Sequence, residues 1–306
     1  MADLELLLVK TSRTFALAIP QLPEPTRGEV TIAYLLFRIA DTFEDAVRWS
    51  AERKRGALEA FSTLLEPGSD GAARALARSW VEDPPLDHDG YLELLAETPA
   101  VLEALGAQRP GAQRIIRHHL RRTTEGMSRY AVQAGVAGRL ELDSLDALRG
   151  YCHVVAGIVG EMLTELFVLG RENLAPVADY LQARARYFGE GLQLTNILKD
   201  SSGDATEGRS YVPASVGRAR VFRLARSDLA RAEEYVRALQ EAGAPAGIVA
   251  FNALPVLLAW GTLKRVEAEG PGAKLARGEV ARLVQDLHEA LAQGEPAVAV
   301  ASDPPS

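Results

Sequence analysis

Two pairs of aspartates have the spacing of helical neighbours. Asp41 and Asp45 stand four residues apart, and Asp200 and Asp204 repeat this spacing much later in the chain. Residues four apart on a helix project from the same side, and two such pairs facing each other would repel strongly without cations. Mg²⁺ takes hard oxygen ligands and is commonly shared with substrate phosphates. The pairs therefore predict a Mg²⁺ site at an apolar cavity, suited to ionising an allylic diphosphate and sheltering the carbocation from water.

The first pair ends a polar stripe in an otherwise apolar segment. Tyr34, Arg38, Asp41 and Asp45 follow one another at steps of four, three and four, and Glu44 directly precedes the last of them. On a helix these side chains share one broad face. The alternative is a solvated surface face with an Arg38–Asp41 ion pair, which would stabilise the fold little.

The second pair continues a stripe of neutral polar residues. Gln193, Asn196 and Asp200 are spaced three and four apart between apolar residues, and Asp204 keeps the spacing if the helix continues. The stripe contains no Lys–Glu pair of the kind that decorates solvent faces. Amide side chains offer both donors and acceptors to a metal–phosphate site, although a solvated face is again the alternative.

The elements that must position these residues are helices. The apolar period is helical almost everywhere between turn-forming stretches, and alternating β-branched runs are scarce. The pattern predicts helices over residues 30–49, 51–65, 91–105, 111–130, 144–169, 175–200, 216–242 and 246–269. We therefore expect one all-α domain over residues 1–294 and a disordered tail over residues 295–306.

Composition and motifs exclude several classes of protein. The 306 residues are 47% hydrophobic and 25% charged, as in an ordinary soluble protein. The net charge of −7 disfavours a nucleic-acid partner. Cys152 is the one cysteine, so an intrachain disulfide is excluded. The sequence has no P-loop, no G-x-S-x-G elbow and no G-x-G-x-x-G after a strand, so a Rossmann domain is not expected.

The sequence also predicts the cellular location. The N-terminus lacks the basic region and cleavage site of a secretory signal, so a cytoplasmic protein is expected. Residues 242–263 carry no charge and are long enough to span a membrane, but Pro245, Asn252 and Pro255 lie inside them. We interpret this segment as a buried core helix with a kink. The alternative is a peripheral contact with a membrane surface.

The chain resembles the squalene/phytoene synthase family of head-to-head prenyltransferases, from about Ser12 to about Arg277. Six motifs in the family's order carry the resemblance: SRTF (12–15), RIADTFED (38–45), YCHVVAGIVGEM (151–162), GLQLTNILKD (191–200), GRSYVP (208–213) and AFNALPVLLA (250–259). The form of the first aspartate motif, His153 and the Phe-Asn-Pro stretch are most similar to squalene synthases. The resemblance implies a single-domain helical bundle of the isoprenoid synthase type with a central apolar channel.

The resemblance also implies a role for each motif residue. Asp41, Glu44, Asp45, Asp200 and Asp204 would hold Mg²⁺ and the two diphosphates. The residues that would bind substrate are Ser12, Arg13, Phe15, Tyr34, Arg38, Gln193, Asn196 and Arg209. Tyr151 is similar to the tyrosine implicated in the family's first half-reaction. Asn252, Lys274 and Arg277 would bind NADPH.

The implied activity is the Mg²⁺-dependent condensation of two farnesyl diphosphates to presqualene diphosphate, followed by reduction to squalene with NADPH. The alternative is a related enzyme that stops at presqualene diphosphate, hydroxysqualene, dehydrosqualene or phytoene. A non-catalytic assembly factor is disfavoured because both aspartate pairs are intact. Gly203 is expected to fray the helix end at Asp204, and Lys199 stands where the family usually has arginine. The C-terminal membrane helix of eukaryotic squalene synthases is expected to be absent.

Overall fold

The computed structural model describes residues 3–12, 14–66, 70–134, 140–206 and 210–298, with side chains omitted at 70, 202 and 204–206. Over these ranges the chain is helical, and none of the described residues lies in a β-strand. One isolated parallel bridge joins Glu141 to Ser210. The all-α prediction is confirmed. The helices group into two compact units, Met1–Pro20 with Glu24–Leu140 and Gln21–Pro23 with Glu141–Ser306. One domain over 1–294 and a central channel stay predictions.

The first unit is organised around its third helix. Its described helices are α1 (Leu4–Thr11), α2 (Phe15–Ala18), α3 (Thr26–Glu44), α4 (Ala51–Leu64), α5 (Asp70–Glu82), α6 (Asp89–Ala96), α7 (Thr98–Gly106) and α8 (Pro110–Gln133). Leu35, Leu36 and Ile39 of α3 have no exposed surface. Because α3 packs against α1, α4, α6, α7 and α8, its apolar face is buried and the direction of its polar stripe is set.

Aromatic packing anchors the end of α3 that carries the first aspartate pair. The ring of Phe43 lies 4.6 Å from that of Trp80 and 6.0 Å from that of Phe61, centroid to centroid. Trp49 stacks on Phe43 at 5.7 Å, and its indole N–H donates to the Asp83 carbonyl at 3.0 Å. Such rings bury large apolar areas in specific geometries, so the backbone around the aspartates is held firmly.

The second unit contains the long helices. Its described helices are α9 (Leu145–Cys152), α10 (Ile158–Val168), α11 (Ala178–Thr206), α12 (Arg218–Glu241), α13 (Ala246–Glu269) and α14 (Arg277–Gln293). Between α9 and α10 the helix continues through a π-helical segment, His153–Gly157, in which the Ile158 N–H bonds to the His153 carbonyl. A short 3₁₀ helix, Glu172–Val177, leads into α11.

Two glycines let α11 approach the helix that precedes it. A Cβ added at Gly160 would lie 2.1 Å from the Ala185 carbonyl oxygen, and one added at Gly189 would lie 2.1 Å from that of Ala156. No real side chain tolerates such contacts with backbone atoms. The close packing of α11 on α10 and the π-helical segment therefore requires glycine at both positions.

The helix boundaries differ from the predicted ones in several ways. The helices α1, α2, α5 and α14 were not predicted, and the helix predicted over 30–49 ends at Glu44. The helix predicted over 91–105 is two helices that meet at Glu97, and the one predicted over 144–169 is divided by the π-helical segment. Pro99 lies in the first turn of α7, where a missing N–H costs nothing. The expected fraying at Gly203 is wrong for the backbone, because α11 continues to Thr206.

The beginning of the expected tail is packed. The Gln240 side chain donates to the Glu295 carbonyl at 2.7 Å and accepts from the Ala297 N–H at 2.9 Å. Ala297 and Val298 are 5% and 1% exposed. Residues 295–298 thus depart from the predicted disorder, and residues 299–306 lie outside the described part of the chain.

Two helical stretches of the described chain are long and apolar enough to cross a membrane by length and composition, Leu145–Val168 and Ala246–Glu269. Most of the apolar window of each is buried within the protein, 56% and 61% respectively. The second contains the uncharged segment interpreted above as a core helix, and Pro255 lies inside it without ending it. Burial of this degree is typical of core helices in soluble proteins.

Candidate active site

Arg38 is held from three directions in the first unit. Its guanidinium lies over the ring of Tyr34 at 5.5 Å and over the ring of Tyr91 at 5.6 Å, measured to the centroids. Its Nη1 is 3.3 Å from Asp41 Oδ2, and its Nε donates to the Tyr34 hydroxyl at 3.3 Å. The Tyr34 hydroxyl in turn donates to the Thr11 carbonyl at 2.8 Å. We call Tyr34, Tyr91 and Asp41 the Arg38 cradle.

Sequence reasoning missed Tyr91. It stands in the first turn of α6, where its N–H donates to Nδ1 of the N-cap residue His88 at 3.3 Å. The two rings stack with centroids 4.0 Å apart. No sequence signal links Tyr91 to Arg38, because the two residues meet only through the packing of α6 on α3.

The first aspartate pair is electrostatically unfavourable without a cation. Asp41 keeps 31% of its side-chain surface exposed, yet burial raises its pKa to about 6, with Arg38 lowering it and Asp45 raising it. Asp45 is exposed and caps the end of α3. Glu44 is half-buried, and its carbonyl accepts from Lys54 Nζ at 2.8 Å. A carboxylate with a raised pKa beside a second carboxylate fits a divalent cation that also binds substrate phosphates.

The N-terminal motif lies against the same helix. The Ser12 hydroxyl accepts the Phe15 N–H at 2.9 Å, and the Phe15 ring lies 5.6 Å from that of Tyr34. Phe15 thus contacts Tyr34 of the Arg38 cradle, and Ser12 is hydrogen-bonded to Phe15, while the binding of substrate by both residues stays a prediction. Arg13 lies outside the described residues.

The polar stripe of α11 forms one side of a continuous helix. Gln193 is half-buried and Asn196 exposed, and the Asp200 side chain is 50% exposed. Lys199 Nζ lies 3.1 Å from Asn196 Oδ1 and 3.2 Å from Asp200 Oδ2. The backbone of Asp204 continues the helix, while its side chain and the whole of Arg209 lie outside the described part.

Tyr151 is paired with a second tyrosine. It is 3% exposed, and its hydroxyl donates to the Tyr211 hydroxyl at 3.1 Å. The two rings stack with centroids 4.7 Å apart. Sequence reasoning placed Tyr211 only within the GRSYVP motif and gave it no role, since no local pattern shows a contact between residues so far apart in the chain.

A buried charge network lies at the last turn of α9, the helix that contains Tyr151. Arg149 of α9 lies 3.0 Å from Glu190 Oε2 of α11 and 3.4 Å from Asp228 Oδ2 of α12, and both carboxylates have no exposed surface. Arg231 also reaches Asp228, at 3.4 Å, and His153 Nδ1 lies 3.8 Å from Glu190. Burial raises the pKa of Asp228 to about 6 and raises that of Glu190. This network ties α9, α11 and α12 together.

The residues assigned to NADPH do not share a surface. Asn252 is 2% exposed, and its amide donates to the Ile248 carbonyl of its own helix at 2.8 Å. Lys274 and Arg277 are exposed, at the loop before α14 and at its first residue. The two basic residues could contact a phosphate at the surface, whereas the Asn252 amide is hydrogen-bonded within its own helix.

Each unit therefore brings part of the predicted site together. The first assembles Ser12, Phe15, Tyr34, Arg38 and Asp41, and the second aligns Gln193, Asn196 and Asp200 on α11. Among the described residues, no group of three or more His, Cys, Asp or Glu side chains has the arrangement of a complete metal site. The Asp204 side chain lies outside that set, and the facing of the two aspartate pairs stays a prediction.

The chain is similar to known proteins over most of its length. The model of the family described as squalene/phytoene synthase matches residues 8–285. The chain is 32% identical over 204 residues to the Botryococcus squalene synthase of Botryococcus braunii, covering 66% of this chain and 39% of that protein. It is 32% identical over 212 residues to the squalene synthase ERG9 of Candida albicans, covering 69% of this chain and 44% of that protein. The matched region thus spans less than half the length of these relatives.

The fold is similar to that of a solved relative. The structure described as TcSQS in complex with the ligand E5700 has a TM-score of 0.71 and 25% sequence identity, covering 92% of this chain and 84% of that one. The match extends over nearly all of the chain, as the six motifs do.

Proposed function

This chain belongs to the squalene/phytoene synthase family, and from that membership we propose that it joins two farnesyl diphosphates head to head into presqualene diphosphate and reduces this product to squalene with NADPH. The observation that carries the proposal is the Arg38 cradle beside the first aspartate pair. A guanidinium offers a planar fork of donors that matches phosphate oxygens. Its position among Tyr34, Tyr91 and Asp41 therefore suits the capture of a diphosphate.

The acidic residues of the two motifs complete the proposed site. Asp41, Glu44, Asp45, Asp200 and Asp204 would hold Mg²⁺, which supplies positive charge against that of the departing diphosphate. Arg38 binds and orients the diphosphate, and Tyr34 fixes Arg38 by joining it to the Thr11 carbonyl. Lys199 and Asn196 add a donor and an amide on the α11 side.

The hydrocarbon part of the reaction needs a dry environment. Carbocation intermediates survive only where water is excluded, and the helices of both units supply extensive buried apolar surface. Tyr151, buried at 3% exposure, acts in the first half-reaction, as its counterpart in the family motif does.

A second candidate function follows from one observation. Asn252 is buried and donates to a carbonyl of its own helix, whereas Lys274 and Arg277 are exposed, so these three residues do not form a common surface for NADPH. This favours an enzyme of the same family that stops before reduction, at presqualene diphosphate or an alcohol derived from it. Dehydrosqualene and phytoene are the other products open to this family.

Incubation of the protein with farnesyl diphosphate and Mg²⁺, with and without NADPH, tests both candidates. We expect diphosphate release that EDTA abolishes, presqualene diphosphate without NADPH and squalene with it, identified by mass spectrometry. Products that ignore NADPH would support the second candidate. Absence of diphosphate release would contradict both.

A charge-neutral variant tests the acidic residues directly. Asp200→Asn keeps the shape of the side chain and removes one charge, so we expect turnover to fall at least ~10²-fold, the scale of losing an electrostatic transition-state contact. Asp179→Asn, an exposed position on the same helix, is the matched control and should keep full turnover. Unchanged turnover in the Asp200 variant would refute its assignment.

The product also bears on location. Squalene is an apolar hydrocarbon that partitions into bilayers, so we propose a cytoplasmic enzyme with a peripheral membrane contact for product release. Flotation with liposomes of neutral phospholipid, in the presence and absence of substrate, measures that contact.

A further inference from the structure

The hydrogen bond between the stacked Tyr151 and Tyr211 has a direction that matters for the reaction. Both rings are buried, at 3% and 7% exposure, and their planes are inclined by 26°. The Tyr151 hydroxyl donates to the Tyr211 oxygen at 3.1 Å. A phenol has one hydrogen and two acceptor lone pairs. With its hydrogen committed to Tyr211, the Tyr151 oxygen offers lone pairs to any third group.

The backbone around Tyr211 is fastened to the segment that leads into α9. Ser210 forms the isolated bridge with Glu141, and its carbonyl accepts the Leu142 N–H at 3.2 Å. On the other side of Tyr211, the Ser215 hydroxyl donates to the Asp143 carbonyl at 2.9 Å. These contacts hold the backbone on both sides of Tyr211, so they fix the position of its hydroxyl next to that of Tyr151.

The start of α9 is equally well fixed. The Ser144 side chain caps the helix by accepting the Ala147 N–H at 3.2 Å, and Arg149 joins α9 to buried carboxylates of α11 and α12. The hydrogen bond to Tyr211 sets the torsion of the Tyr151 O–H bond. That torsion matters, because a hydroxyl that directs lone pairs at a carbocation stabilises it, and one that directs its hydrogen there destabilises it.

We propose that Tyr211 is a positioning residue that orients the Tyr151 hydroxyl, so that the Tyr151 oxygen meets the carbocation of the first half-reaction as an acceptor. The inference rests on the proposed function, in which Tyr151 acts in that half-reaction. Under this proposal Tyr211 contributes to turnover through Tyr151, so this contribution disappears when the Tyr151 hydroxyl is absent.

A double-mutant cycle tests this coupling. Tyr211→Phe keeps the ring stack and removes the hydroxyl, and we expect kcat for diphosphate release to fall about 10-fold, less than the loss of a whole oriented donor, with KM for farnesyl diphosphate within about 2-fold. In the Tyr151→Phe background, Tyr211→Phe should cause no further loss, as expected for residues that act as one unit.

Tyr235→Phe is the matched control for stability. The Thr164 hydroxyl donates to the Gly160 carbonyl, so the buried Tyr235 hydroxyl must donate to Thr164, at 2.8 Å. Its removal costs one buried hydrogen bond, as Tyr211→Phe does, but should leave kcat unchanged. If kcat falls equally in both variants along with their Tm, the role of Tyr211 is structural and the proposal is overturned.

Two further outcomes are decisive. Full kcat in Tyr211→Phe, or losses that multiply in the double variant, would overturn the proposal while leaving the proposed function intact. If the wild-type protein releases no diphosphate, the proposed function itself fails.

NMR of protein labelled with ¹³Cζ-tyrosine checks the contact between the two hydroxyls without turnover. The Tyr151 resonance should shift in Tyr211→Phe and stay in place in Tyr235→Phe. An unmoved Tyr151 resonance in Tyr211→Phe would contradict the hydroxyl contact.

Discussion

Arg38 is positioned by aromatic rings as well as by polar contacts. Its guanidinium lies over the rings of Tyr34 and Tyr91, and an attraction to a ring face can hold the group without occupying every N–H group at its edge. Ion pairing alone would hold the side chain by the donors that a diphosphate needs. The tyrosine rings therefore let one arginine be both ordered and able to bind an anion.

Tyr91 gives a prediction at this scale. Tyr91→Leu removes one face contact, worth ~0.5–1 kcal/mol, so KM for farnesyl diphosphate should rise about 2- to 5-fold. Tyr91→Phe keeps the ring and should keep the wild-type KM. Initial rates over a range of substrate concentrations measure both, and equal KM values for the Leu and Phe variants would show that the ring does not position Arg38.

At the scale of elements, the tight contact between α10 and α11 depends on glycine. Gly160→Ala or Gly189→Ala would place a methyl group 2.1 Å from a carbonyl oxygen, so each should destabilise the protein by at least ~1–3 kcal/mol, the cost of overpacking. Gly203→Ala, on α11 with nothing within 4 Å of its added Cβ, should stabilise by ~0.5–1 kcal/mol. Urea unfolding compares all three, and a Gly160 variant as stable as the Gly203 variant would disprove the close packing.

The charge network that joins α9, α11 and α12 predicts a pH dependence. The pKa of Asp228 is raised from 3.8 to about 6 in the folded protein. The folded state thus holds this proton more tightly than the unfolded state, and the stabilisation from protonation is complete below pH 3.8 and lost as pH rises through about 6. Glu190 shifts in the same direction.

Asp228→Asn mimics the protonated form of Asp228 and should remove the loss of stability that accompanies rising pH. We expect its free energy of unfolding relative to wild type to increase between pH 4 and pH 7 by on the order of 1–3 kcal/mol. Asp179→Asn, at an exposed position, should show no such trend. A constant difference between Asp228→Asn and wild type across this range would contradict the raised pKa.

The long helices and the two polar stripes were predictable because they depend on local periodicity. Helices α8, α12 and α13 coincide closely with predicted segments, whereas α3 ends at Glu44 instead of residue 49 and α11 ends at Thr206 instead of residue 200. Helix α1 is too short for a clear apolar period. The partners Tyr91 and Tyr211 were not predictable, because their contacts with Arg38 and Tyr151 join residues distant in sequence and arise only from packing.

At the scale of the whole molecule, the fate of the carbocation decides the product. Lys274 and Arg277 are the two exposed basic residues to which the resemblance assigns NADPH. With NADPH present, Lys274→Ala combined with Arg277→Ala should shift the products from squalene to presqualene diphosphate or an alcohol, with the consumption of farnesyl diphosphate unchanged. Mass spectrometry of the extracted products measures the shift, and an unaltered squalene yield would remove both residues from the reductive step.

The geometry of the site depends on how the π-helical segment is wound as well as on which residues it contains. An α-helix turns roughly 100° per residue, and the His153–Gly157 segment holds one more residue in its turn than an α-helix would. If the same residues wound as an ordinary α-helix, the extra residue would no longer be absorbed in a wider turn, and Tyr151 would swing about a quarter of a revolution relative to α10. Every side chain of the site would still be present, but Tyr151 would point in a different direction around the helix axis.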